Sequence, residues 1–128
     1  MGDLGDRVNV MGPQPMAKRS EIPAAMLEAA RRVLEGLAAG DATGLAALAV
    51  PSGAGELAAV AAAVMPGTYD QHRIIATARI NDHHYVKARL HGPRTEAFTV
   101  QFRLGEYAGE WRVWEAMNLT GKRGAWAR

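Results

Sequence analysis

The chain is predicted to be an α+β domain: three N-terminal helices packed on a curved, four-stranded antiparallel meander. Three observations predict it. Apolar residues recur at helical spacing between Ile22 and Met65. From His72 onward they alternate with period two through four consecutive segments. Gly40-Asp41, Pro66-Gly67, Gly92-Pro93 and Ala108-Gly109 punctuate the pattern where turns are needed.

Residues 1–19 are rich in glycine and proline and show no period, so they read as a flexible tail. Ser20 can cap the first helix, with Glu21 in its first turn and Pro23 tolerated near the start. Ile22, Met26, Leu27, Ala30, Val33, Leu34 and Leu37 form its apolar stripe. Glu28 with Arg32, and Arg31 with Glu35, are spaced to pair on the exposed side. Gly40 ends this helix and Asp41 caps a second over 42–49, stopped by Pro51. Residues 52–55 read as a loop, and 56–65 as a third helix ended by Pro66-Gly67. The domain is expected to span 20–120, followed by a basic tail over 121–128 that carries Trp126.

The strands are expected over 72–80, 84–91, 96–106 and 110–120. Period two gives each an apolar face and a wet face. The wet face carries Arg73, Arg79, Lys87, Arg89, Arg103 and Arg112, with Tyr85 and Trp114, and no carboxylate. Glu115 falls on the apolar face. Parity constrains the turns. Strands one and two both place apolar residues at even positions, which requires a three-residue loop, 81–83. Strands three and four have opposite parity, which requires the two-residue turn Ala108-Gly109 and sets Phe102 opposite Glu115 and Val100 opposite Met117.

An apolar content of 48% supports a real core in 128 residues, and a net charge of +2 demands no polyanionic partner. With no cysteine, thiolate catalysis and cysteine-ligated metal are excluded. Neither a membrane-spanning run nor a signal-peptide core is evident, so a cytoplasmic protein is expected. No phosphate loop, dinucleotide fingerprint, nucleophile elbow, H-x-H or H-E-x-x-H pattern occurs; no cofactor or metal is expected.

Two segments, A-R-R-V-L-E-G-L-A-A-G-D (Ala30 to Asp41) and G-E-W-R-V-W-E (Gly109 to Glu115), carry a resemblance. With the long first helix, the Gly40-Asp41 break and the closing W-R-V strand, the region from Ile22 to Leu119 resembles the nuclear-transport-factor-2-like superfamily, which includes ketosteroid isomerase and the polyketide cyclases. The resemblance implies a cystatin-like cone: a curved sheet, helices closing a conical pocket, and dimerisation through the sheet. This chain departs from the enzymes in having only short helical material between Asp41 and Met65, which implies a smaller or more open pocket.

An inward Glu115 suits a general base, because desolvation raises a carboxyl pKa. His84, His72 and Tyr69 are the candidate partners for acid–base chemistry, of isomerase or lyase type on a small apolar substrate. Phe98, Val100, Phe102, Trp111, Val113 and Met117 are the expected pocket lining. Arg73, Arg79, Tyr85, Lys87, Arg89, Arg103, Arg112 and Trp114 have the composition of an interface. The leading reading is a homodimer joined through this face, holding a small apolar ligand or none. The alternatives are the enzyme and a module for nucleic acid or an acidic partner, using the basic face with Tyr85 and Trp114 as stacking platforms.

Overall fold

Pro23 decides where the first helix begins. It fixes its own φ and biases Ile22 away from helix, so α1 runs Ala24–Ala39 with Pro23 as its N-cap. The computed structural model describes residues 22–121. Ser20, Glu21 and the tails expected at either end lie outside the described residues, apart from Gly121. Met26, Ala29, Ala30, Val33, Leu34 and Leu37 are buried along one side of α1. On the other side both expected ion pairs form, Arg32–Glu28 at 3.2 Å and Arg31–Glu35 at 2.5 Å, and Arg31 also reaches Glu28.

Gly40 closes α1 in the left-handed region at φ +70°. The Asp41 side chain accepts the Gly44 N–H at 3.0 Å and starts α2, Ala42–Ala47. This helix ends two residues before the sequence reading places its end. Its exit segment is drawn out beside the sheet, where Ala49 forms a parallel bridge with Val113. A short 3-10 turn, Pro51–Gly53, leads into α3, Ala54–Ala63. The region read as a loop is therefore helical, and Met65 lies beyond α3, 70% exposed.

The sheet is a meander in the order β1 (Gln71–Ile80), β2 (His83–His91), β3 (Phe98–Tyr107), β4 (Glu110–Asn118). Its inner face carries Val86, Ala88, Leu90, Phe98, Val100, Phe102, Leu104 and Val113, which form one core with α1, Leu45, Leu57 and Val60. β2 and β3 pair with the expected parity, Val86 opposite Phe102 and Leu90 opposite Phe98. β3 and β4 join through Ala108-Gly109 as expected, both at positive φ.

Two bulges overturn the rest of the parity argument. In β1, Ile75 is an extra residue between the Ile74–Ala88 and Ala76–Lys87 pairs. The first hairpin therefore closes on two residues, Asn81 and Asp82, with Ile80 opposite His83, rather than on three. Beyond the bulge the register puts Thr77 and Arg79 on the inner side, with Thr77 buried but Arg79 exposed near the strand end, and Ala76 and Ala78 on the outer side, where both are buried. In β4, Trp114 is the extra residue. Phe102 consequently faces Ala116, Val100 faces Asn118, and Glu115 lies opposite Arg103.

The β4 edge is closed by the chain that precedes α3 and by the first turn of α3 itself. Val113 N–H donates to Leu48 O at 2.7 Å, and Val50 N–H donates to Val113 O at 2.9 Å. Ala116 N–H donates to Glu56 Oε1 at 3.1 Å. These bonds satisfy backbone groups that an edge strand would otherwise present to another chain.

Candidate functional site

The outer sheet face is organised around Arg103, the middle of β3. Its Nη1 donates to His83 Nδ1 at 2.7 Å, and its Nη2 pairs with Glu115 at 3.1 Å. The Trp114 ring lies 5.9 Å from its guanidinium carbon, within cation–π range. His83 and Tyr107 approach the same indole at 5.0 Å and 6.0 Å between ring centroids. Gly105 makes room for this packing: a Cβ there would meet His83 Nε2 at 2.6 Å and Trp114 Nε1 at 3.0 Å. Burial first, and then the Arg103 charge, hold His83 below its ordinary pKa. The imidazole is thus neutral, and because Nδ1 accepts from Arg103 its proton sits on Nε2. Two donors in the cluster, Arg103 Nε and Trp114 Nε1, are shielded from solvent and hold no hydrogen bond.

Around this cluster lie Tyr85, opposite Arg103, and Met117, opposite Gln101. Met117 is 54% exposed and Tyr107 39% exposed. A shallow hollow of about 180 Å³ is lined by Tyr85, Gln101, Arg103, Glu115, Met117 and Glu56. Arg112 pairs with Glu110 at 2.5 Å. The expectation of a basic face without carboxylates is thus corrected: Glu115 and Glu110 neutralise two of its arginines.

Six of the eight residues expected on this face, Arg73, Tyr85, Lys87, Arg89, Arg103 and Arg112, occupy outward register positions. Trp114 joins them through the β4 bulge. Arg79 does not, because the β1 bulge places it opposite His84 on the inner side.

The inner face differs most from the sequence reading. Glu115 is not inward: the β4 bulge turns it out, 52% exposed in its side chain and paired with Arg103. Met117 leaves the expected pocket lining for the same reason. Phe98, Val100, Phe102 and Val113 are buried in solid core, and Trp111 packs against it. His84 is inward and buried, with its ring 5.5 Å from Trp111 and its Nδ1 without a partner. His72 is exposed near the start of β1, and Tyr69 rests on Phe98 at 6.2 Å. His84 pairs with Arg79, seven residues along β1 from His72, so the two histidines are roughly 20 Å apart at the strand rise. The four groups named for acid–base chemistry are not brought together, and that reading loses its geometric basis.

Two further hollows lie on the helical side. One of about 420 Å³ between α2 and α3 is lined by apolar residues that include Leu45, Leu57, Val64 and Pro66. Another, of about 500 Å³, lies where α1 meets the start of β4 and includes Trp111. Among the described residues no three His, Asp or Glu side chains gather closely enough to hold a metal ion. No helix among them is long and apolar enough to cross a membrane.

Tyr107 and Gly105 are absent from the interface expected on this face, and His83, expected in the 81–83 loop and turned away from His84, is not counted among its residues. The alternation that places Arg103 outward also places Gly105 and Tyr107 outward, so extending it two steps finds them. The outward turn of Met117 has no such signal, because it depends on the bulge.

No protein-family model matches the chain, and no curated protein matches it. Solved structures do. A nuclear-transport-factor-2-like protein of unknown function from Shewanella baltica OS155 aligns over 73% of this chain and 90% of its own, with 15% identity and a TM-score of 0.58. A protein from Sphaerobacter thermophilus aligns over 76% of this chain and 98% of its own, with 17% identity and a TM-score of 0.48. The helices, the meander and the first of these likenesses together show that this chain has the nuclear-transport-factor-2-like fold.

Proposed function

We propose that this domain is an association module that forms a homodimer through the β3–β4 half of its outer sheet face. The observation that carries the reading is Met117, an apolar side chain more than half exposed, on the same face as Trp114, Tyr107, Tyr85 and Arg103. Met, Trp, Tyr and Arg are the side chains enriched where protein interfaces are buried. The pairing of Arg103 and Arg112 with carboxylates favours a protein surface over a polyphosphate track. Sedimentation velocity at micromolar concentration tests it. A dimer is expected, and Met117→Glu is expected to weaken it by at least about tenfold, because burying an unpaired carboxylate is costly. A wild-type chain that sediments only as a monomer would sink the reading.

A second reading has one observation behind it, the apolar hollow between α2 and α3. Its volume suits a small apolar ligand. An environment-sensitive apolar dye that binds the wild type but not Ala58→Trp, which fills the hollow, would support it. Equal binding to both proteins would count against it.

A further inference from the structure

Arg73 and Arg89 are direct cross-strand partners in the part of the β1–β2 hairpin before the Ile75 bulge. They share the outer face, with backbones about 4.5–5.5 Å apart in an antiparallel pair. Like charges placed opposite one another destabilise a sheet. On the same face Arg103 and Arg112 each hold a carboxylate, whereas no ion pair joins Arg73 or Arg89 to a carboxylate among the described residues. Lys87 lies two residues along the same face, buried, and its ammonium is held below its ordinary pKa by burial and then by Arg89. Thr99 lies opposite Arg89 on β3, and Arg89 Nε donates to Thr99 Oγ1 at 3.4 Å, which leaves the Nη groups of Arg89 for a ligand. The Thr99 N–H is itself held by Thr120 Oγ1 at 2.9 Å.

We propose that this Arg73–Arg89 corner binds the phosphoryl group of a phosphate monoester. Such a group carries about −1.5 to −2 charge at neutral pH on three acceptor oxygens. It can neutralise two guanidiniums at once, where one carboxylate neutralises a single one. Arginine forks match its oxygens in pairs, and the Thr99 hydroxyl supplies a further donor beside them. The corner is built within one chain by β1, β2 and the start of β3. It therefore stands apart from the Met117–Trp114 surface and does not rest on the dimer reading.

The test is titration of the full chain with inorganic phosphate, glucose 6-phosphate and phosphoserine, at an ionic strength held constant with sodium chloride. Binding is read from NMR shifts of the arginine side-chain Nε–H groups. Saturable shifts at Arg73 and Arg89 are expected, with at least a tenfold loss of affinity in R73A/R89A. Tighter binding of glucose 6-phosphate than of inorganic phosphate supports the site and points to a small phosphorylated metabolite. Tighter binding of phosphoserine supports it and points to a modified protein. The phosphate-free R73A protein is expected to unfold at higher urea concentration at low salt, since one repelling charge is gone. Shifts that fail to saturate, binding that survives in R73A/R89A, or an R73A protein no more stable than wild type overturns the proposal. Met117→Glu, which should leave phosphate binding unchanged, separates failure here from failure of the dimer.

Discussion

Gly53 tests how the β4 edge is closed. Its φ of −98° is open to any residue, so alanine there carries no backbone strain. The added Cβ, however, would lie 2.7 Å from Val113 O, 2.8 Å from Trp114 O and 2.9 Å from Trp114 C. These are backbone atoms beside the bulge, and no flexible side chain can swing away to relieve them. The turn must move outward, which stretches the Val50–Val113 and Val113–Leu48 hydrogen bonds of 2.9 and 2.7 Å. Overpacking costs about 1–3 kcal/mol, and each weakened bond up to about 1 kcal/mol. Stiffening the unfolded chain returns only about 0.4–1 kcal/mol. The steric term wins, so Gly53→Ala is expected to destabilise by roughly 1–3 kcal/mol, or about 4–8 °C in midpoint per kcal/mol for a domain of this size. Thermal and urea unfolding, followed by circular dichroism and tryptophan fluorescence, measure it. Gly55→Ala is the control: nothing lies within 4 Å of its added Cβ, so helix propensity should leave it neutral or stabilised. A Gly53→Ala protein within about 0.5 kcal/mol of wild type, the range of an ordinary surface substitution, would refute the reasoning.

Four other outcomes follow from the same structure. His84 is held below its ordinary value of 6.5 by burial, then by Arg79 and His83. Its stabilising contribution is therefore complete above about pH 6.5 and is lost as pH falls toward the folded pKa, with a slope of at most about 1.4 kcal/mol per pH unit. Urea midpoints of His84→Leu should show a shallower acid slope than wild type, and an unchanged slope would refute the assignment. Thr77 is 1% exposed with an unpartnered hydroxyl, so Thr77→Val should stabilise by about 1 kcal/mol; destabilisation in urea would show that a bound water holds the hydroxyl. Ala108 occupies φ +53°, which asparagine tolerates better, so Ala108→Asn should raise the thermal midpoint, gaining about 0.5–1 kcal/mol. Glu115→Gln removes one exposed ion pair and should change stability by no more than about 1 kcal/mol; a much larger change in urea unfolding would indicate an inward carboxylate.

Period-two alternation, helical spacing and turn chemistry established the elements, their order and the inner set Val86, Ala88, Leu90, Phe98, Val100, Phe102 and Leu104. They did so because each is a local property, repeated over enough residues to outweigh exceptions. They also located the Asp41 cap, the Gly40 stop and the Ala108-Gly109 turn, whose requirements sit within a few residues of chain. What only the tertiary structure decided is where the pleat breaks. A bulge adds one residue to one strand, and that residue turns every later side chain to the opposite face. No local preference marks Ile75 or Trp114 as the extra residue. The choice belongs to the partner strands and to the 48–53 segment that clasps β4 at Val113. From those two breaks follow the outward Glu115, the exposed Met117, the shift of Arg79 to the register of His84 and the removal of an acid–base group from the core side. The alternation told that two chemically different faces exist; the packing of the strands decided which residues each of them holds.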